Sequence, residues 1–199
     1  SLNAFVGASG CGKSTVSNLL MGFWDADSGR IEINGKDIKD YSQENISNLI
    51  GSVGQEVILF DLSIFDNIAI GKLNATKEEV IEAAKKARCY DFIMALPDGF
   101  DTMIGEGGAT LSGGEKQRIS IARCMLKDAP IVILDEATAS VDVDNESYIQ
   151  EAISELVKNK TLLVIAHRLN TIRDADNIIV IKEGNIAKQG NHDKLMSLN

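Results

Sequence analysis

The sequence predicts an α/β domain: a P-loop core with a mainly parallel sheet, a small antiparallel β part and a helical subdomain. Three observations carry this reading. The glycine-rich stretch Gly7-Ala8-Ser9-Gly10-Cys11-Gly12-Lys13-Ser14-Thr15 joins an apolar run, Ala4 to Val6, to a helical pattern through Val16, Leu19 and Leu20. The runs Ile131 to Leu134 and Leu162 to Ala166 are unbroken apolar stretches, as in parallel strands buried on both faces. Between these strand patterns, residues 76–96 carry helical spacing and no strand pattern.

Composition sets the limits. A chain of 199 residues with 44% hydrophobic content can bury a sizeable core. The net charge of −9 argues against nucleic acid as a partner, because a phosphate backbone rewards clustered Lys and Arg. Cys11, Cys89 and Cys124 are odd in number and lack CxxC spacing, so neither a disulfide framework nor a zinc site is expected, and the compartment is expected to be reducing. No apolar run approaches the roughly eighteen residues of a membrane span, and no signal peptide opens the chain, so any membrane part is expected in other polypeptide. The chain begins inside a strand pattern, which leads us to expect an excised fragment with sequence ahead of Ser1.

Residues 7–15 fit GxxxxGK[ST], a P-loop in its strand-loop-helix context. Gly7, Gly10 and Gly12 let successive N–H groups turn inward around phosphate, with Ser9 and Cys11 between them. Lys13 can reach the outer phosphates of a triphosphate, Ser14 can offer its hydroxyl to Mg²⁺, and Thr15 falls in the first turn of a helix whose positive end faces the anion. Cys11 is the expected reactive thiol; Cys89 and Cys124 fall within helical patterns and are expected to be inert.

After this helix, Asp25 to Gly29 reads as a turn, and Arg30 to Ile33 alternates with period two before Asn34-Gly35, a hairpin signal, with Ile38 continuing the return strand. Ser42 to Leu49 reads as a helix and Ile50 to Val53 as a short strand leading to Gln55, which is placed either as a loop ligand or as a solvated loop side chain. Val57 to Phe60 and Ile64-Phe65, interrupted by Asp61 and Ser63, look too apolar and too broken for a regular surface element and read as core or docking patch.

Thr76 and Glu79 form a capping box ahead of Val80, Ala83, Ala84 and Ala87. A second short helix over Tyr90 to Leu96 stops at Pro97, and a glycine-bearing loop follows over Gly99 to Gly108. Ser112 and Glu115 then form another capping box, opening a helix through Ile119, Ile121, Ala122, Met125 and Leu126. That box accounts for Ser112 and Glu115 without a ligand. Gly113 and Gly114 in the first turn cost about 1 kcal/mol each against alanine, which calls for backbone that something approaches closely; free N–H groups at a helix start suit an anion.

Asp135 and Glu136 stand at the carboxyl end of the 131–134 strand, where ligands of open α/β sheets sit. Asp135 can hold the Mg²⁺ shell, and Glu136 can orient or deprotonate a water for attack on the γ-phosphate; a helix N-cap is the alternative for one of the two acids. The 161–166 strand delivers His167 to the same edge, either as a group that contacts the γ-phosphate or water or as a structural histidine. Asp142 can cap a helix with Ile149, Ile153 and Leu156 on its apolar face, and Ile178 to Ile181, the Glu183-Gly184 turn and Ile186-Ala187 close the sheet.

In this order the motifs resemble the nucleotide-binding domain of an ATP-binding cassette (ABC) transporter over nearly the whole chain. Residues 7–15 are similar to Walker A, Gln55 to the Q-loop, Leu111 to Glu115 to the signature, Ile131 to Asp135 to Walker B, Glu136 to the catalytic glutamate, Ser140 to Asp142 to the D-loop and His167 to the H-switch. Thr102 to Gly108 is similar to the x-loop of exporters, which favours the exporter branch. A coiled-coil insertion of the kind found in ABC ATPases of DNA repair is missing from the sequence between Gln55 and the signature.

The resemblance implies one ATPase domain over 1–199, with 1–55 and 127–199 as the P-loop core and 56–126 as the helical subdomain carrying the signature. It implies that catalysis rests on Glu136, His167 and Gln55, that Mg²⁺ is held by Ser14, Gln55 and Asp135, and that ATP is held by Walker A together with Ser112, Gly113, Gly114 and Asp142. The implied partners are a second nucleotide-binding domain in a head-to-tail dimer and transmembrane domains, at the cytoplasmic face of the membrane. Two departures from the family pattern stand out: the aromatic residue that stacks on adenine would lie ahead of Walker A, outside this sequence, and the signature ends in Glu115 where glutamine is usual. A first-turn carboxylate suits the helix dipole, and a capping role is expected for it.

Overall fold

A computed structural model describes residues 1–105, 108–135, 143–165 and 173–197, with the side chains of 143 and 144 left out. Its main sheet has six strands in the order β4-β5-β6-β1-β7-β8, where β1 is Leu2–Val6, β4 Ile50–Val53, β5 Ile131–Asp135, β6 Thr161–Ile165, β7 Asn177–Lys182 and β8 Asn185–Gly190. β5, β6, β1 and β7 pair in parallel, and β8 returns antiparallel to β7 across the Glu183-Gly184 turn. The two apolar runs that predict buried strands thus lie side by side, with Val132, Ile133 and Leu134 buried in β5 and Leu162, Val164 and Ile165 in β6. Helix α1 (Lys13–Leu20) places Ser17 and Leu20 beside Phe5, Ile133, Leu163 and Ile165.

The chain divides into two compact units, Ser1–Ser52 with Pro130–Glu136 and Asn159–Asn199, and Val53–Ala129 with Ala137–Lys158. The first holds, besides α1 and most of the sheet, the hairpin of β2 (Glu32–Ile33) and β3 (Lys36–Asp37), helix α2 (Gln43–Leu49) and helix α8 (His192–Met196). Ile38 does not continue the return strand. Asp37 accepts from the amide of Lys39 and caps a 3-10 turn over Ile38–Asp40, which turns Ile38 into a cluster with Ile33, Ile46, Ile50 and Ile133. Burial of one isoleucine outweighs two more residues of exposed ladder.

The second unit contains α3 (Ile64–Ala69), α4 (Lys77–Lys86), α5 (Tyr90–Met94), α6 (Gly113–Lys127) and α7 (Val143–Leu156). Its core joins Val80, Ala83 and Ala84 of α4, Ile119, Ile121 and Ala122 of α6, and Ile149, Ala152 and Leu156 of α7, all buried. Of the 57–65 run, read as core or docking patch, Ile64 proves to be core: Ser63 caps α3, its Oγ accepting from Asp66 N at 3.0 Å, and Ile64 and Ile68, one turn apart, are fully buried. The loop before it stays irregular and exposes Ile58, Phe60 and Leu62. No helix among the described residues is long and apolar enough to cross a membrane.

Candidate functional site

In the first unit the phosphate loop is built where β1 ends. Gly12 caps α1 at φ 107°, a left-handed conformation that a side chain would strain. Gly7 is needed for closeness: a Cβ there would fall 2.3 Å from the carbonyl oxygen of Ile181 and 2.6 Å from Cys11 Sγ. The loop is tied to the β7–β8 turn by Gly184 N donating to Cys11 O at 3.2 Å and is closed internally by Cys11 N donating to Ala8 O at 3.2 Å. Lys13, only 5% exposed, donates from Nζ to Gly7 O at 2.9 Å and Ala8 O at 3.1 Å, so its charge is held inside the loop by carbonyl oxygens. Ser9, Gly10, Ser14 and Thr15 are exposed. The first N–H groups of α1, those of Lys13, Ser14 and Thr15, have no helical carbonyl one turn back, which leaves them for an anion.

The sheet register brings Asp135 to this edge. Asp135 pairs with Ile165, and Ile165 with Phe5, so the ends of β5, β6 and β1 stand at one level, with Gly7 two residues beyond Phe5. Asp135 is half-buried. Glu136, Asp142 and His167 lie outside the described residues, directly or nearly following β5, preceding α7 and following β6. A triphosphate with Mg²⁺ fits these residues: a glycine-bearing loop closed around a buried ammonium, a hydroxyl at Ser14 and a carboxylate at Asp135. Among the described residues no group of three or more His, Cys, Asp or Glu could hold a metal ion.

In the second unit Gln55 is exposed in the bend after β4, and the buried Gln117 donates to the preceding carbonyl of Gly54 at 3.5 Å. The N-terminus of α6 carries the complete capping box: Glu115 N donates to Ser112 Oγ at 3.2 Å, and Ser112 N donates to Glu115 Oε2 at 2.7 Å. Glu115 therefore turns back onto the helix start, as expected for a cap. Ser112 and Gly113 are exposed and Gly114 is buried. The close approach that Gly114 requires comes from within the unit, because a Cβ on it would lie 2.5 Å from Asn145 Cβ of α7.

Sequence reasoning missed two buried polar clusters beside these elements. Arg118, 5% exposed, donates to Asn145 Oδ1 and lies between the rings of Phe92, 5.1 Å away, and Tyr148, 5.4 Å away. Asn67, fully buried, accepts from Phe60 N at 2.9 Å and donates to Phe60 O and Ser63 O at 3.0 Å each; Arg123 donates to its side-chain oxygen at 3.1 Å and its backbone oxygen at 2.8 Å. An Arg inside an apolar helical pattern was the available signal for both. Among the thiols, Cys11 Sγ lies 3.8 Å from Lys13 Nζ, whereas burial pushes Cys89 up to about 12.

A family model described as "ABC transporter" matches residues 1–139. The chain is 53% identical over 193 residues to "Putative multidrug export ATP-binding/permease protein YgaD" of Bacillus subtilis (strain 168), covering 97% of this chain and 33% of that protein. It is 53% identical over 194 residues to a Staphylococcus aureus (strain NCTC 8325 / PS 47) protein of the same description, covering 98% of this chain and 34% of the other. It is also similar to the solved structure of a bacterial Atm1-family ABC exporter with ATP bound, at TM-score 0.91 and 45% identity, over 100% of this chain and 35% of that one. The chain thus spans about a third of the length of the relatives it matches.

Proposed function

The chain belongs to the ABC transporter family, and from that premise we propose that it is the cassette that binds and hydrolyses Mg-ATP to power export by membrane domains carried on other sequence. The observation that carries this reading is the P-loop at the end of β1, with Lys13 buried among its carbonyls and Asp135 at the same sheet edge. The exporter relatives and the x-loop-like stretch before the signature favour export. We treat 1–199 as one such domain at the cytoplasmic face of the membrane.

In this reading the amides of Gly7 to Thr15 wrap the phosphates, and Lys13 leaves the loop carbonyls to meet the outer ones. Ser14 and Asp135 would hold Mg²⁺, which would neutralise charge that builds on the phosphate oxygens. Glu136 takes a proton from the attacking water as it adds to the γ-phosphorus and the β–γ bridging bond breaks, leaving ADP and phosphate; His167 steadies the γ-phosphate. Ser112, Gly113 and Gly114 present the start of α6 to the ATP of a second domain, and Asp142 lies at that junction. Phosphate release measured with Mg-ATP, with Mg²⁺ chelated, and with Glu136→Gln tests the reading. Equal release in all three would overturn it.

A further inference from the structure

One side chain of α7 packs against the start of α6. Asn145 touches two positions one turn apart on the same face of α6: its Cβ closes on Gly114, and its Oδ1 accepts from Arg118, whose guanidinium is fixed between Phe92 and Tyr148. A contact and a hydrogen bond from this one residue bear on both the distance of the two helices and the rotation of α6, in addition to their shared apolar core. The same residue lies three positions after Asp142, in the first turn of α7. The first turn of α7 is thereby coupled to the start of α6, whose Ser112 and Gly113 are exposed.

Resting on the nucleotide reading above, we propose that Asn145 is a positioning residue for the γ-phosphate end of the partner domain's ATP: it locks the signature turn to the first turn of α7, so that both enter the closed dimer as one body. Arg118 acts in the same way, through Asn145. Neither touches nucleotide. Binding of ATP to the P-loop of an open domain should not depend on them, whereas closure of two domains around ATP should.

The test uses the natural full-length polypeptide and compares Asn145→Ala, Asn145→Asp and Arg118→Lys with the parent. The probes are affinity for a fluorescent ATP analogue without Mg²⁺, the ATP concentration at half-maximal closure in a Glu136→Gln background, and kcat and KM for Mg-ATP. Loss of a hydrogen bond to a charged group predicts that Asn145→Ala raises the half-closure concentration about tenfold or more, with unchanged analogue affinity. Asn145→Asp keeps the acceptor for Arg118 and restores closure to within about threefold of the parent. Should Asn145→Ala fail to fold, Arg118→Lys, which keeps a charge and loses the planar stack, carries the test with the same expected split. Closure at the parent's ATP concentration in a folded variant, or a matching loss of analogue affinity, overturns the inference. A parent that never closes with ATP overturns the nucleotide reading instead.

Discussion

Lys13 Nζ donates to the carbonyl oxygen of Gly7 at 2.9 Å, so the ammonium folds back six residues and closes the loop onto its own beginning. Together with Ala8 O this gives a nearly buried charge two acceptors, which meets part of its desolvation cost.

Lys13→Ala is therefore expected to weaken ATP binding by about 10- to 100-fold, the value of one or two charge-assisted hydrogen bonds, while leaving the sheet intact. Titration calorimetry gives the affinity and circular dichroism the fold. A variant that binds ATP like the parent would remove Lys13 from the phosphate site.

Glu136→Gln should keep Mg-ATP binding and lose most turnover, because an amide preserves shape but cannot accept the proton of the attacking water. Dimers should then accumulate with ATP and not with ADP, as read by size-exclusion chromatography. Hydrolysis at the parent rate would take Glu136 out of its role.

The three thiols should separate by chemistry and access. Cys11 is 8% exposed beside Lys13, whereas Cys89 is fully buried, donates to Ala84 O at 3.3 Å, and is pushed up to about 12 mainly by burial and despite the nearby Arg118. Brief alkylation followed by mass spectrometry should mark Cys11 first and show protection by Mg-ATP. The sign of the pH effect also follows: the unfolded Cys89 thiol ionises from its ordinary value of 9.0 and the folded one only near 12, so stability is intact below about 9 and falls as pH rises toward 12. Thermal melts of Cys89→Ala across that window should show a shallower fall than the parent.

The elements legible in the sequence were those set by local patterns: the buried strands β5 and β6, the capping boxes at Thr76 and Ser112, the phosphate loop. Their family resemblance also named candidate site residues, of which Glu136, Asp142 and His167 lie outside the described residues. What escaped depends on contacts distant in sequence. The glycine at 114 calls for close approach, but its neighbour Asn145 is known only from the fold, and Ile38 reads as strand until the cluster with Ile46 and Ile133 is known. Helix α3 was hidden because Asp61 and Ser63 break the apolar run, although Ser63 is the cap that starts the helix. The Asn67–Arg123 pair joins residues 56 apart, a distance at which no periodicity operates.

Asn67→Ala should destabilise the second unit by roughly 2–4 kcal/mol, since it strands the Phe60 amide, the carbonyls of Phe60 and Ser63 and part of Arg123 at once. Asn67→Asp should not rescue it, because a carboxylate offers no donor to those carbonyls. Urea unfolding gives the loss, and limited proteolysis should show cleavage within 57–63 ahead of the parent. Equal stability would mean that the loop is held by its apolar contacts alone.

The last prediction separates a site shared between two chains from a self-contained one, using Lys13→Ala in one chain and Ser112→Arg in the other. The first removes the loop charge, and the second blocks the exposed start of α6. Each variant alone should trap no ATP. If sites form in trans, a mixed dimer collects both defects in one site, made by the Lys13→Ala loop and the Ser112→Arg helix end, and leaves the other site intact. If every chain uses its own α6, each site keeps one defect and no intact site arises. Differently tagged variants, mixed and purified through both tags, should therefore trap about one ATP per dimer by the first arrangement, a count that needs no turnover and is unaffected if both sites must fire together. Mixed dimers that form and trap none would rule out the head-to-tail arrangement and, with it, the nucleotide role of Ser112, Gly113 and Gly114.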